Sequence, residues 1–350
     1  MGPAYWHHVA WEEAGPGGPD VLVLPWDVHY LNTVPALRRA ASSGVATLLW
    51  GHGYSKNEQP WRRWVRDGLA RLADGVVLYN QSAADALMAR QRPLGGVYVA
   101  PNSLDQAPIQ ASRRYWRDHR EELAAFQQAH SLSGVPVLLF VSRLTGHNRV
   151  AMLIEAAAEL RKRHRGLRVA IVGDGPGRAP LEEKARELSI SDAVSFVGPQ
   201  YDEQALGAWF MSADVLCYPV NIGLSILHAF GYGVPVVTSN RIENQNPEIE
   251  ALRAGENGLL YEHGSVGGLT RTLDMLLSDA PLRERLGAGA LATVTNAGVF
   301  TLDRMVDGLE RAIRGARDGA TGEEHTEAWA ARTDPRIKTV GRGAHAKSAG

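Results

Sequence analysis

Short runs of β-branched and apolar residues alternate with stretches of helical spacing along most of the chain. Ten runs read as strands. The first four are "DVLVLPW" (20–26), "VATLLWG" (45–51), "GVVLYN" (75–80) and "GVYVAPN" (96–102). The other six are "VPVLLFVSR" (135–143), "RVAIVGDG" (168–175), "AVSFVG" (193–198), "DVLCYP" (214–219), "VPVVTS" (234–239) and "NGLLYE" (257–262). Helical patterns fall between them, including 32–43, 60–73 and 82–91, and two more follow near 281–295 and 300–316. Strand and helix in regular alternation is the signature of βαβ units and parallel sheets. A long charged segment, "ASRRYWRDHREELAAFQQAH", interrupts the alternation with helical spacing and no strand signal. The pattern therefore predicts two doubly wound α/β units joined near residues 105–134. Ligands of such sheets bind beyond the carboxyl ends of the strands. A cleft between the two units is the expected active site.

Composition narrows the function classes. A chain of 350 residues has room for two domains, and 45% hydrophobic with 21% charged residues is a globular profile. The formal net charge of −1 gives no bulk attraction to nucleic acid. The single cysteine, Cys217, excludes an internal disulfide and zinc-type spacing, and its apolar run predicts a buried thiol in a reducing cytoplasm. No apolar run approaches the roughly 18 residues of a membrane span. The first residues lack the basic start and apolar core of a signal peptide. The expected location is cytoplasmic, with peripheral contact on the inner face of a membrane as an option. The polar, Gly- and Ala-rich stretch 317–350 reads as a disordered tail.

Several motifs carry candidate chemistry. "VGDGPGR" (172–178) ends a strand in a glycine turn, but Arg178 stands where a dinucleotide fingerprint needs its third glycine. It reads as a tight turn or as a ligand loop. In "VSRLTGHNRVAMLIEAAAEL", Arg143 ends a strand, and Asn148 and Arg149 precede an amphipathic helix. Guanidinium forks at the mouth of a sheet suit a diphosphate, though solvated surface arginines would look the same. In "VNIGLSILHAFGYG", Gly223 permits close backbone approach, and the amides of Leu224 and Ser225 are free at a helix start. Ser225 and His228 share a helical face, so His228 is either a ligand contact or a satisfied structural histidine. His52 lies between two glycines in "LLWGHGYSKNE". "PWRRWVRDGLARLA" (60–73) reads as a core-facing helix with Trp61, Trp64, Val65, Leu69 and Leu72 inward and arginines outward. A membrane-surface patch is the other reading.

The ordered series "FVSRL…LIEAA…VAIVGDGPGRAPLEEKA…FVGPQYDEQALGAWFMSADVLCYP…GLSILHAFGYGVPVVTS…NPEIEALRAGENGLL" resembles the second domain of retaining GT-B glycosyltransferases of family four. The resemblance is dense over 135–280 and looser over 19–105, through "PDVLVL", "WGHG", "LADGVVLYNQSAADAL" and "VYVAPNSLD". It implies two Rossmann-like domains facing a cleft. Residues 1–130 would form the acceptor side, with the helix near 300–316 packing back on it, and 131–298 the nucleotide-sugar side. Arg143 matches the arginine that holds the donor diphosphate. The lysine position falls at Asn148, with Arg149 adjacent as a replacement charge. Two glutamates eight apart, for donor sugar and ribose, fall at Val220 and His228. Glu248 keeps a later glutamate, and His52 matches a first-domain histidine near the transferred sugar. About three strands that normally precede "PDVLVL" have no counterpart, so the first domain is expected to be shortened and the run 20–26 to be a sheet edge. Such an edge would be covered by residues 1–19, recruit a second copy as a homodimer, or lower solubility.

The implied function is transfer of a sugar from a nucleoside diphosphate sugar to a saccharide or lipid-linked acceptor, in polysaccharide or glycoconjugate biosynthesis. Catalysis would rest on His52 and Arg143. The donor would be bound by Arg143, Asn148, Arg149, Gly223, Leu224, Ser225, His228 and Glu248. No cofactor or metal is expected, since the cations can stabilise the departing diphosphate. The alternative is a non-catalytic, glycosyltransferase-like protein that binds a nucleotide or partners an active subunit; Val220, Asn148 and the short first domain favour it. A dehydrogenase is disfavoured by the incomplete glycine fingerprint.

Overall fold

A computed structural model describes residues 4–53, 59–90, 95–295 and 298–319. The chain divides into two compact units: Met1–Ala100 with Asp307–Gly350, and Pro101–Val306. The tail expected from 317 falls, beyond residue 319, outside the described residues.

In the first unit, α1 (His8–Glu13) precedes β1 (Val21–Pro25), α2 (Thr33–Ser43), β2 (Ala46–Gly51), α3 (Pro60–Leu72), β3 (Gly75–Leu78), α4 (Gln81–Arg90) and β4 (Gly96–Val99). The four strands are parallel and lie in sequence order. Right-handed crossovers place α2, α3 and α4 on one face. Packing agrees, because Leu24, Leu49, Val76, Leu78 and Val97 share a core with Leu37, Leu69 and Leu87. Alternate residues Leu48, Val77 and Tyr98 are buried on the other face. β1 is an edge, pairing only with β2 among the described residues. The segment before it packs nearby: Ala10 of α1 and Ala14 just after it enter the same core.

The orientation of α3 differs from the sequence expectation. Arg66, Leu69 and Ala70 are buried, whereas Trp61 and Trp64 are 51% and 77% exposed and Leu72 is exposed too. The physical reason is that the sheet meets α3 through small and medium side chains. Arg66 is held on this face, its carbonyl accepting from Trp26 Nε1 at 3.1 Å.

In the second unit, α5 (Gln106–Asp118) and α6 (Arg120–Ala129) lead into β5 (Val137–Val141), α7 (Val150–Leu160), β6 (Arg168–Val172), α8 (Arg178–Glu187), β7 (Val194–Gly198) and α9 (Glu203–Met211). Then follow β8 (Val215–Cys217), α10 (Ser225–Tyr232), β9 (Val236–Ser239), β10 (Gly258–Tyr261), α11 (Val266–Ser278) and α12 (Ala280–Thr295). The sheet is parallel in the order β10-β9-β8-β5-β6-β7. Strand order therefore reverses between β5 and β8, the place where doubly wound sheets bind ligands. Cys217 is fully buried there, and burial pushes its thiol up, as suits a structural thiol.

The domain boundary lies near residue 100, not near 130. The helices at 106–129 belong to the second unit because α5 lies against α9 and α10. Ser112 Oγ donates to the Glu203 carbonyl at 3.2 Å, and Trp116 Nε1 donates to the Gln204 carbonyl at 2.8 Å. Conversely, α13 (Leu302–Asp318) is grouped with the first unit from Asp307 onward. Gly308 sits against the Val99 carbonyl and Gly315 against the Tyr98 hydroxyl, where any side chain would collide.

Gly207 does the same for α5 and α9. A Cβ there would collide with Ser112 Oγ and lie 2.7 Å from the Tyr232 hydroxyl. Gly207→Val is expected to cost about 1–3 kcal/mol of stability, as overpacking does. Urea unfolding measures it, with Gly68→Ala as control, because nothing lies within 4 Å of a Cβ at Gly68.

Candidate functional site

The candidate site is built on the carboxyl rim of the second sheet. β5 ends at Val141 and the chain turns through Arg143 to a short 3-10 turn, Gly146–Asn148, before α7. The glycine turn after β6 supports this loop. Gly173 and Gly175 have φ of 136° and 157°, and a Cβ on either would strike the carbonyl of Ser142 or Leu144. Leu144 N donates to the Asp174 carbonyl at 2.9 Å, and Gly177 N to the Leu144 carbonyl at 3.0 Å. The "VGDGPGR" turn thus holds the backbone that carries Arg143.

Arg143 and Arg149 are exposed, and neither forms an ion pair with a carboxylate among the described residues. Arg149 has φ of 50°, a left-handed conformation uncommon outside glycine, so its direction is imposed by the turn. Asn148 has a different role from a phosphate contact. It is buried; its Nδ2 donates to the Arg143 carbonyl at 2.7 Å, and its Oδ1 accepts from Asn221 Nδ2 at 3.1 Å. It ties the Arg143 loop to the loop before α10.

That second loop is braced further. Asn221 has φ of 71°, and its carbonyl accepts from Asn246 Nδ2 at 3.0 Å. Ile222 N donates to Gln245 Oε1 at 2.9 Å, and the fully buried Gln245 amide donates in turn to Thr238 Oγ1 and Ser239 Oγ. Gly223 is packed under this brace, since a Cβ there would lie 3.2 Å from Asn246 Nδ2. Ser225 Oγ donates to the Val141 carbonyl at 2.9 Å, which docks the start of α10 on the end of β5. The first amides of α10 have no intrahelical acceptor by geometry, and the helix dipole adds positive potential there. The loop that carries Arg143 and Arg149 is thus tied to the loop before α10, and the start of α10 to the end of β5, at the strand-order reversal.

His228 faces α9. Its Nε2 lies 2.9 Å from Glu203 Oε1, the same oxygen that accepts from the Tyr232 hydroxyl at 2.5 Å. The His228 ring stacks on Phe210 at 4.8 Å between centroids. Burial would raise the Glu203 carboxyl, but the bonds from His228 and Tyr232 outweigh it and hold it below the usual range. Val220 is buried and offers no polar group. Glu248 is buried too and accepts from the Asn102 amide. His52 belongs to the first unit, at the end of β2, exposed with its ring 4.9 Å from the Tyr79 ring.

Sequence reasoning missed Glu203, Gln245, Asn102 and His263. Of these, only Gln245 had a local signal, its place in the polar "NQNPE" turn. His263 follows β10, with Nδ1 3.2 Å from Ser239 Oγ. Burial, then Arg149 and Arg241, push its imidazole below the usual histidine range. An anion bound at Arg149 would cancel part of that effect and raise the histidine. Binding of a nucleoside diphosphate just above the free-state pKa of His263 is therefore expected to take up protons. Calorimetry in buffers of different ionisation enthalpy measures this, and His263→Ala should remove the uptake.

The family model of the glycosyl transferases group 1 matches residues 123–292. The chain is 25% identical over 245 residues to an alpha-D-kanosaminyltransferase of Streptomyces kanamyceticus, covering 68% of this chain and 60% of that protein. It is 33% identical over 187 residues to a D-inositol 3-phosphate glycosyltransferase of Nocardia farcinica, covering 50% and 40%. The chain thus spans about half the length of these relatives. The solved structure of Anabaena HepE in complex with UDP superposes with a TM-score of 0.67 at 18% identity, over 84% of this chain and 78% of that one, which shows a shared fold. Over residues 123–292, the chain is thus similar to the glycosyl transferases group 1.

Proposed function

We propose that the chain is a retaining glycosyltransferase that takes a nucleoside diphosphate sugar on its second unit. The acceptor is a saccharide or a lipid-linked saccharide. One observation carries the reading: Arg143 and Arg149, without carboxylate partners among the described residues, stand on loops braced together beside the start of α10. In this reading the guanidinium groups and the Leu224 and Ser225 amides hold the diphosphate. They neutralise the charge that grows on it as the sugar leaves. No metal is assigned a part. Asn148 acts by positioning Arg143, and His52 serves the transferred sugar or the acceptor. The UDP complex of HepE supports a nucleoside diphosphate as the ligand class, and the named relatives support sugar transfer.

A second reading is a non-catalytic nucleotide-binding protein. Val220 is apolar and buried, and His228 is engaged by Glu203, so neither offers a carboxylate to a sugar or ribose. Incubation with a panel of UDP- and GDP-sugars separates the two. Release of nucleoside diphosphate above the uncatalysed rate supports the enzyme; saturable binding without release supports the second reading.

A further inference from the structure

The outer face of α3 is not used by the glycosyl-transfer reading. It carries Trp61 and Trp64, one turn apart and 51% and 77% exposed, with exposed Leu72 two turns on. Gly68, between them, leaves open space. Arg63 and Arg71 are exposed beside the stripe, and the Arg62 guanidinium stands 5.3 Å from the Trp61 ring centroid. The adjacent α2 adds Arg38 and Arg39 and no acid. Across α2 and α3, six arginines (38, 39, 62, 63, 66 and 71) face a single acid, Asp67, which pairs with Arg90 at 3.3 Å. The charge is therefore locally positive on a chain whose formal net charge is −1. Beyond α2, α1 contributes exposed Trp11 under Arg39, together with Glu12 and Glu13.

We propose that α3 rests on an anionic lipid surface, with Trp61 and Trp64 at headgroup level and Arg62, Arg63 and Arg71 on the phosphates. Indole rings favour the membrane interface, where an apolar body and a polar N–H are both satisfied. Basic side chains beside them add attraction to acidic lipids. An exposed helix face with two tryptophans one turn apart suits a soft planar surface that adapts to their depth. An acidic protein would need a matching concave site. The inference stands apart from the chemistry at the second sheet, because binding to vesicles requires no donor and no turnover.

The test is co-sedimentation of the full chain with phosphatidylcholine vesicles, with and without phosphatidylglycerol. The expected result is binding to the anionic vesicles that fades at high salt, and little to the neutral ones. Trp61→Ala with Trp64→Ala should lower the partition by about tenfold or more, and Arg63→Glu with Arg71→Glu should do the same. These side chains are exposed, so the urea midpoint should not move, which separates lost docking from lost folding. No sedimentation with anionic vesicles overturns the proposal, and so does parental binding by both double variants. A surface that takes only a protein partner gives the first of these results.

Discussion

Arg143→Ala is expected to weaken binding of a nucleoside diphosphate by roughly 10- to 100-fold. A hydrogen bond between charged groups contributes about 1.5–3 kcal/mol, and each 1.4 kcal/mol is a factor of ten. Arg143 is exposed and forms no ion pair with a described carboxylate, so its charge is available to a ligand. Arg149 remains in the variant, which is why binding should weaken and not vanish. Arg143→Lys should recover only part of the loss, because an ammonium lacks the planar fork that matches two phosphate oxygens. Calorimetric titration measures the affinities. The loop is held by its backbone and by Asn148, not by the Arg143 side chain, so stability should be unchanged. Equal affinity in parent and variant would remove Arg143 from the site.

Glu203→Ala is expected to cost about 1–3 kcal/mol at neutral pH, the usual cost of leaving partly buried polar groups without their acceptor. Two donors converge on Glu203 Oε1, and the Tyr232 hydroxyl, whose pKa burial and this bond push up, would lose its nearest acceptor. The effect has a predicted pH dependence. The Glu203 carboxyl sits below its ordinary value of 4.5 in the folded chain. The folded state therefore binds fewer protons there than the unfolded state. Its contribution is complete above the unfolded value and is lost as pH falls through the folded one. Urea unfolding of parent and variant should show a gap at pH 7 that narrows in acid. A gap independent of pH would mean that Glu203 acts through packing alone.

Strands were the most legible part of the sequence. All ten apolar runs became strands, because each is short, β-branched and bounded by turn residues. The domain boundary was less legible. Residues 106–129 look like a linker in a linear pattern, and their packing on the second unit shows in contacts distant in sequence, the close approach at Gly207 and Gly231 and the bonds from Ser112 and Trp116. The face of α3 was misread for a related reason. Tryptophan is apolar enough to count as core by pattern, yet the sheet offers α3 room for Ala70 and Leu69 and leaves Trp64 outside. At the site, Arg143 and Arg149 could be found from a strand end and a helix start. The brace formed by Asn148, Asn221, Gln245 and Asn246 could not, since it joins residues up to 98 positions apart through side-chain amides. The Glu203–His228 pair spans 25 positions and has no periodic signature.

The central claim is that the carboxyl rim of the second sheet binds a nucleoside diphosphate through Arg143, Arg149 and the start of α10. The most direct test is a crystal structure of the chain saturated with UDP or GDP. The account predicts diphosphate oxygens about 2.7–3.1 Å from the Arg143 and Arg149 guanidinium groups and from the Leu224 or Ser225 amide. A nucleotide bound elsewhere on the chain, or none at saturating concentration, would contradict it.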